Sequence, residues 1–111
     1  MKTLVFINPL KSGKLEEYKK FSATNIGVKQ KDYTDLLKRY GLKNAKVYYH
    51  VENQKESVVV VHDAEDDAIA KLANFPSPDY PYDKWFLEQL NDLHPTTENN
   101  QAQLLFEFNV S

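Results

Sequence analysis

The hydrophobic pattern of the chain centres on four consecutive valines at residues 58–61. Successive side chains of a β-strand point to opposite faces of the sheet, so a strand that is apolar at consecutive positions is covered on both faces. Residues 3–7, Thr-Leu-Val-Phe-Ile, show the same kind of pattern. The pattern therefore predicts two central strands.

Two further segments alternate between apolar and polar residues. Residues 45–52 place Val47, Tyr49 and Val51 on one face, and residues 104–109 alternate in the same way. Alternation over this length is typical of a half-exposed strand. The short polar segment 53–56 joins the first of these strands to the valine run, so we expect a hairpin over residues 46–62.

A long helical pattern follows the first strand, over residues 15–40. Ser12 is a candidate N-cap for it, and Gly41 suits the left-handed position after the last turn. Gly27 interrupts the pattern and costs about 1 kcal/mol relative to Ala in a helix interior. We expect the helix to kink or break within residues 23–29.

Two helices are predicted after the hairpin. Asp63 is a candidate N-cap for a short helix over residues 64–73, and Pro81 suits the first position of a final helix that ends near Leu93. The Pro-rich residues 75–81 connect them. A polar loop, residues 95–101, follows the final helix.

The order of elements is therefore strand, helix, strand, strand, helix, strand. With right-handed crossovers this order predicts an α+β fold, a ferredoxin-like βαββαβ antiparallel sheet with strand order 4-1-3-2. The uniformly apolar strands 1 and 3 are central in that order, and the alternating strands 2 and 4 are edges. A chain of 111 residues is expected to form a single domain over residues 1–111.

Helices cover one face of such a sheet, and the apolar residues of the other face also need a cover. An open apolar patch of that size is an association site. We therefore predict a homodimer in which two sheets pack face to face across a two-fold axis, forming a dimeric α+β barrel.

Composition narrows the functional classes. The net charge of −2 leaves no broad basic footprint for nucleic acid, and the absence of cysteine excludes disulfides, thiolate metal sites and thiol nucleophiles. The apolar residues 3–7 are too few for a signal-peptide core or a membrane span. We expect a cytoplasmic protein with no membrane and no nucleic-acid partner.

Aromatic residues supply the main candidate binding site. Rings with polar tips stack on a flat or sugar-like ligand while they hydrogen-bond its rim. The candidates are Tyr18, Tyr48, Tyr82, Trp85 and Phe86. They predict a small-molecule pocket between sheet and helices, and ordinary core packing is the competing interpretation.

The histidines are candidate catalytic or metal-binding groups. His50 and Glu52 share a strand face and are a candidate acid–base pair or two metal ligands, although a polar edge-strand face explains them equally. His62 joins that face only if the hairpin register is even. Two ligands fall short of a metal site, so we predict no metal and no cofactor. His94, at the end of the final helix, suits an interaction with the helix dipole.

Two motifs carry a resemblance to a known group. Residues 10–18, Leu-Lys-Ser-Gly-Lys-Leu-Glu-Glu-Tyr, resemble the Lys-Pro-Gly-Lys…Glu-Tyr opening of rhamnose mutarotases, and residues 84–86 resemble the late Trp pair of that family. The family belongs to the dimeric α+β barrel superfamily. The resemblance implies that Tyr18 and Trp85 occupy sugar-site positions. Ser22 falls where the family has its catalytic His, and Phe86 where it has its second Trp.

Other segments, residues 33–42 and 82–90, are similar to a branch of the superfamily for which the resemblance implies no activity. Asn8 resembles in type the Asn of the cofactor-free quinol-forming monooxygenases of the superfamily, although an Asn before Pro is also an ordinary turn residue.

Three functions stay open on these grounds. The first is a dimeric barrel that binds a small organic ligand in the aromatic pocket. The second is a cofactor-independent enzyme, a monooxygenase acting on a polycyclic phenol or a mutarotase-like sugar isomerase, with Tyr18, His50 and Trp85 as its polar groups. The third is a structural interaction module whose pocket is filled.

Overall fold

The computed structural model describes residues 1–95 and 100–110. The order of elements matches the predicted one up to the final helix. The elements are β1 (Lys2–Pro9), α1 (Leu15–Ile26), α2 (Gln30–Arg39), β2 (Lys46–Glu52), β3 (Lys55–Ala64), α3 (Ala68–Leu72) and α4 (Pro81–Leu93).

The three strands form one antiparallel sheet in the order β1-β3-β2. The valine run lies in β3, the middle strand, where Val60 is opposite Phe6 of β1 and Val58 is opposite Tyr49 of β2. β3 is central and β2 is an edge, as expected, whereas β1, which was predicted to be central, forms the other edge of the described sheet. The structure therefore confirms a small α+β fold with an antiparallel sheet.

The β2–β3 hairpin is tighter than predicted. Its turn consists of Asn53 and Gln54, both with positive φ of 51° and 65°, and Lys55 already belongs to β3. Two central residues with positive φ are the mark of a type I′ turn, whose twist matches that of the flanking strands. The hairpin itself is confirmed, with a two-residue turn in place of a four-residue loop.

The helices pack on one face of the sheet and form two hydrophobic clusters there. One cluster contains Leu4, Leu36, Tyr40, Leu42, Ala64 and Ala68. The other contains Leu10, Tyr18, Phe21, Val58 and Leu93. On the opposite face Val5, Val59 and Val61 are only half-buried and Ile7 is exposed. One protomer therefore leaves the second sheet face partly uncovered.

The long first helix breaks where Gly27 predicts. α1 ends at Ile26, residues 27–29 form a turn, and α2 begins at Gln30. Gly41 has φ of 72° after the end of α2, as expected for the left-handed position. The N-cap was predicted wrongly, because Lys14 occupies the N-cap of α1 and Ser12 lies in the preceding turn. The helix itself begins at Leu15, the first residue of the predicted pattern.

The predicted start of the helix over residues 64–73 is also wrong. Asp63 belongs to β3 and is paired with Thr3 of β1. The amide of Asn44 holds it there, because Asn44 Nδ2 donates to the Asp63 carboxylate and Asn44 Oδ1 accepts from the Asp63 backbone N–H, both at 2.8 Å. With Asp63 held in the ladder, only residues 68–72 become helical.

The end of the chain approaches the free edge of β1. Gln101 forms an antiparallel bridge with Phe6, Ile7 N–H donates to Asn100 O at 2.8 Å, and Ala102 N–H donates to Val5 O at 2.7 Å. This is the edge at which the fourth strand of the predicted order would lie. The polar loop predicted at residues 95–101 lies largely outside the described residues.

The strand predicted for residues 104–109 is not formed within the protomer. We refer to residues 103–110 as the C-terminal arm. It has no regular secondary structure, and its large apolar side chains, Leu104, Leu105, Phe106, Phe108 and Val110, are 76–89% exposed. In the register of the Phe6–Gln101 bridge, β1 extends only as far as residue 105 of the arm. None of the described helices is both long and apolar enough to span a bilayer.

Candidate functional site

An open groove runs between α1 and the β2–β3 hairpin, with a volume of about 380 Å³. It exists because the helices leave β2 uncovered: Val47 and Tyr49 point to the helix side of the sheet, yet each is 46% exposed. The lining residues are Leu15, Tyr18, Lys19, Ser22, Ala23, Ile26, Val47, Tyr48, Tyr49 and Val58. The volume lies in the range of small-molecule sites.

Two residues of α1 define the polar part of the groove wall. Tyr18 and Ser22 are four residues apart, so they lie one turn apart on the same face of the helix. Val58, opposite Tyr49 in the hairpin, forms the floor. The sequence predicts three of these residues as site residues, namely Tyr18, Ser22 and Tyr48, and the structure brings all three to the groove.

Tyr18 is the most deeply placed polar residue of the groove. Its ring packs edge-on against Phe21 at 5.8 Å and against His94 at 5.7 Å between ring centroids. Burial, with a smaller contribution from Tyr33, raises the pKa of Tyr18 to about 12. The hydroxyl is therefore protonated at neutral pH and is able to donate a hydrogen bond to a ligand.

His94, which contacts Tyr18, lies at the end of α4. Its Nδ1 is 2.8 Å from the carbonyl oxygen of Pro9. A carbonyl only accepts, so Nδ1 carries the hydrogen and Nε2 is the free acceptor of a neutral ring. Nε2 is buried and has no hydrogen-bond partner among the described residues.

The charge state of His94 differs from the sequence-based expectation. Burial lowers the pKa of His94, the hydrogen bond to Pro9 opposes the shift, and the charge of Lys11 adds to it. A lowered pKa does not suit a cation at a helix end. No local signal marks this arrangement, because Pro9 and Tyr18 are both more than 70 residues away in the sequence.

The other predicted aromatic residues lie behind the groove. Trp85 and Phe86 of α4 pack on Phe21, with Phe21–Phe86 and Phe21–Trp85 ring centroids 5.0 and 5.8 Å apart. Tyr82 packs on both Trp85 and Phe86. The Tyr82 hydroxyl hydrogen-bonds to Asn25 Oδ1. None of the three is among the groove-lining residues. They support the wall that carries Tyr18.

The histidines of the hairpin do not meet. His50 is opposite Ser57, so it shares a sheet face with Val59 and Val61, whereas His62 points to the helices. The ring of His62 is buried, and its Nδ1 is 2.7 Å from Asn44 O. His50 is exposed and is absent from the groove lining. Within residues 1–95 and 100–110, no group of three potential ligands is placed to hold a metal ion.

The side chain of Asn8 is engaged in a hydrogen bond within the protomer. Asn100 Nδ2 donates a hydrogen bond to Asn8 Oδ1, so this side chain helps to hold the end of the chain against β1. That contact accounts for Asn8 without a catalytic role.

The chain is similar in fold to tetracenomycin F2 cyclase from Streptomyces glaucescens, a type-II polyketide cyclase. The TM-score is 0.69 at 13% sequence identity, and the match covers 100% of both chains. It is also similar to the L-rhamnose mutarotase of Formosa agariphila, with a TM-score of 0.66, 16% identity and coverage of 98% of this chain and 100% of the other.

The chain therefore shares the α+β fold of these two proteins. This finding confirms, at the level of fold, the resemblance that residues 10–18 and 84–86 carry. By sequence, no protein-family model and no curated protein matches the chain. The α+β fold positions the groove between its first helix and its edge hairpin.

Proposed function

We propose that the protein is a homodimeric α+β barrel that binds a small organic ligand in the groove between α1 and β2. The observation that carries the proposal is the groove itself, a space of about 380 Å³ with aromatic and aliphatic walls and a protonated tyrosine hydroxyl on one side. Pockets with apolar walls and a few polar groups are the usual form of a small-molecule site.

The groove walls favour a ligand with a flat or ring-shaped apolar body. Leu15, Ala23, Ile26 and Val47 offer apolar surface, while Tyr18 and Ser22 offer hydroxyl groups along one edge. Lys19 lies at the groove and adds a positive charge, which favours an acidic or phenolic group on the ligand.

The proposed dimer joins the sheet faces that the helices leave uncovered. Val5, Val59 and Val61 are half-buried there, and Ile7 and Tyr48 are 47% and 55% exposed. The proposed strand order is 4-1-3-2, with residues 100–102 beginning the fourth strand beside β1. Burying a continuous apolar face is a favourable term in association.

The similar structures support a small-molecule function. One is a polyketide cyclase and the other a rhamnose mutarotase. The groove of this chain opens beside Tyr18, which the resemblance to mutarotases assigns to the sugar site, and beside Ser22, which falls at the position of that family's catalytic His. Trp85, the other position assigned to the sugar site, lies behind the groove. Ser22 replaces the histidine of that family, so the ligand and any reaction are proposed to differ.

The binding proposal is tested by blocking the groove. A panel of phenols, polycyclic phenols and monosaccharides is screened by thermal shift, and the purified protein is examined by native mass spectrometry for a bound small molecule. Ser22→Trp fills the groove and is expected to abolish binding. Lys20→Trp, on the exposed side of the same helix, is the matched control and is expected to retain it.

A filled pocket with only a structural role would give no binding to any variant. Equal binding by Ser22→Trp and Lys20→Trp would place the ligand elsewhere. The proposal is supported when binding is lost in the first variant alone, with unfolding temperatures of the free proteins within a few degrees of one another.

A second candidate function is supported by the pair of Tyr18 and His94. Tyr18 is a hydrogen-bond donor that stays protonated, and the ring of His94, whose Nε2 has no hydrogen-bond partner among the residues that the structure describes, contacts the ring of Tyr18. Such a pair suits cofactor-independent catalysis in which His94 accepts a proton and Tyr18 stabilises developing negative charge by a hydrogen bond. If a screened ligand is turned over, Tyr18→Phe and His94→Gln are each expected to lower kcat by about 10²-fold or more with a smaller change in KM.

A further inference from the structure

Tyr49 adds a phenol ring to the groove from its strand wall, while Tyr18 lies on the helix wall. In the β2–β3 ladder Tyr49 is opposite Val58, the floor of the groove, so its side chain points to the helix side of the sheet. Tyr49 is 46% exposed. The ring is therefore accessible from the groove.

The hydroxyl hydrogen of Tyr49 is already donated to a carboxylate. Tyr49 Oη donates to Glu56 Oε1 at 2.7 Å. Glu56 is opposite Val51, two residues along β2 from Tyr49, so the bond joins a diagonal pair on one face of the sheet. An ionised carboxylate only accepts hydrogen bonds, and a phenol has a single hydrogen to give. The Tyr49 oxygen therefore offers a ligand only its lone pairs.

The backbone fixes the position of Glu56. It is the second residue of β3, and its carbonyl oxygen accepts a hydrogen bond from Leu10 N–H at 2.9 Å. The bond to Glu56 raises the pKa of Tyr49, so the phenol keeps its hydrogen at neutral pH. Hydrogen bonds in a chain polarise one another, which makes the Tyr49 oxygen a stronger acceptor.

The two walls of the groove therefore differ in hydrogen-bonding character. On the α1 wall the Tyr18 hydroxyl is able to donate, and Lys19 adds a positive charge. On the β2 wall the Tyr49 oxygen accepts, beside the negative charge of Glu56. An oxygen acceptor or an anionic group on the ligand suits the first wall, and a hydrogen-bond donor suits the second.

We propose that Tyr49, held by Glu56, determines the specificity of the groove by accepting a hydrogen bond from a hydroxyl or amino group of the ligand. This inference rests on the proposed binding groove and names the chemistry of one edge of its ligand. A ligand with an ether, carbonyl or carboxylate oxygen at that edge places an acceptor against an acceptor. The polar atoms left unpaired in this way are what makes a hydrogen-bonding site selective.

A purely structural role for the pair is the competing explanation. Cross-strand pairs stabilise a sheet whether or not a ligand is present. Such a role leaves the relative affinity of two matched ligands unchanged, whereas a hydrogen bond to the ligand changes it. The ratio of two dissociation constants is therefore the readout.

Two matched probes supply this ratio, 6-hydroxy-2-naphthoate and 6-methoxy-2-naphthoate. Both carry a carboxylate for the wall of Tyr18 and Lys19, and only the first has a hydroxyl hydrogen for Tyr49. Fluorescence titration of the full chain gives a Kd for each probe. The parent protein is expected to bind the hydroxy probe about tenfold more tightly, the effect of one hydrogen bond.

Three variants separate the acceptor from its support. Tyr49→Phe removes the acceptor and is expected to reduce the Kd ratio to about threefold or less, by weakening the hydroxy probe. Glu56→Ala frees the Tyr49 hydrogen for donation to the ether oxygen, so the methoxy probe is expected to bind more tightly. Glu56→Gln keeps an acceptor for the Tyr49 hydroxyl and is expected to retain the parent ratio.

Tyr80→Phe is the matched control. Tyr80 precedes α4, is absent from the groove lining and is 42% exposed, close to the exposed fraction of Tyr49. This variant loses a hydroxyl of the same kind and is expected to keep the parent Kd for both probes.

The outcomes separate the role of Tyr49 from the groove itself. A parent-like ratio in Tyr49→Phe, equal Kd values of the parent for the two probes, or equal weakening of both probes by Tyr49→Phe overturns the role of Tyr49. The groove then stands if Ser22→Trp abolishes the binding of both probes. Binding of neither probe to the parent, or undiminished binding by Ser22→Trp, overturns the groove site and this inference with it. A ratio that is lost in Tyr49→Phe and kept in Glu56→Gln and Tyr80→Phe supports the inference.

Discussion

Asp83 and Arg39 form a buried ion pair that joins the end of α2 to the start of α4. Arg39 Nη2 donates to Asp83 Oδ1 at 2.6 Å, and Nη1 donates to Oδ2 at 3.1 Å. The Tyr40 hydroxyl at 2.6 Å and the Ser77 N–H at 3.1 Å complete the shell. Burial opposes ionisation of Asp83, but these hydrogen bonds outweigh it and hold the pKa of the carboxyl below its usual range.

Replacing Asp83 with Ala is expected to destabilise the protein by about 3–5 kcal/mol, because it leaves the partly buried Arg39 charge and the Tyr40 hydroxyl without their acceptor. Urea unfolding followed by circular dichroism measures the loss. Asp35→Ala is the matched control: Asp35 binds the same Arg39 at 2.7 Å but is largely exposed, and its loss is expected to cost at most about 1 kcal/mol. Equal losses would contradict a special role for Asp83.

The stability of the protein is expected to fall as the pH drops below about 6.5. Burial lowers the pKa of His62, and the hydrogen bond to Asn44 opposes the shift only in part. The unfolded chain then binds a proton at a pH where the folded protein does not, so the contribution is full above the unfolded pKa and is lost as the pH falls. Each pKa unit by which the folded protein lowers the pKa of His62 contributes about 1.4 kcal/mol to the free energy of unfolding.

His62→Phe removes this titration while keeping a ring against Phe6. Its free energy of unfolding is expected to fall less steeply between pH 7 and pH 5 than that of the parent, with the remaining slope due in part to His94. His50→Phe, at an exposed position of β2, is the control for replacing a histidine by an aromatic ring. A parent-like slope in His62→Phe would show that the protonation of His62 does not control acid stability.

The β2–β3 turn offers a stabilising substitution. Gln54 has φ of 65°, a left-handed conformation that costs a residue with a side chain roughly 1–2 kcal/mol. Gln54→Gly creates the Asn-Gly pair that type I′ turns favour, and we expect a gain of about 1 kcal/mol in thermal or urea unfolding. Asn53→Gly is expected to increase the stability less, because Asn adopts the left-handed backbone conformation more readily than Gln does. A loss of stability in Gln54→Gly would contradict the turn geometry.

Charged substitutions on the two faces of β3 should have different outcomes. Val59 lies on the face opposite the helices and Val58 on the helix face, where it is 1% exposed. Val59→Lys is expected to give a folded protein with the mass of a single chain, since the uncovered face is the proposed dimer contact. Val58→Lys is expected to unfold it, because a buried unpaired charge costs several kcal/mol.

Light scattering and circular dichroism together decide this comparison. A Val59→Lys protein that keeps the mass of two chains would remove that sheet face from the proposed dimer.

Local patterns in the sequence determined the secondary structure well. The valine run predicts the central β3, the alternation of residues 45–52 predicts the edge strand β2, and Gly27 and Pro81 predict the break between α1 and α2 and the start of α4. These features follow from the period of the apolar residues and from the backbone preferences of Gly and Pro, which act over a few residues. The residues that line one side of the groove, Tyr18 and Ser22, share a face for the same local reason.

Only the tertiary structure decided which distant residues meet. The contact of His94 with Pro9 and Tyr18, the ion pair of Arg39 with Asp83, and the anchoring of Asp63 by Asn44 each join segments that no local pattern relates. The hairpin register placed His50 and His62 on opposite faces, and the Phe6–Gln101 bridge set how far β1 extends along the C-terminal arm. These outcomes depend on packing and register between elements, where the physical constraint comes from the whole fold and not from neighbouring residues in the chain.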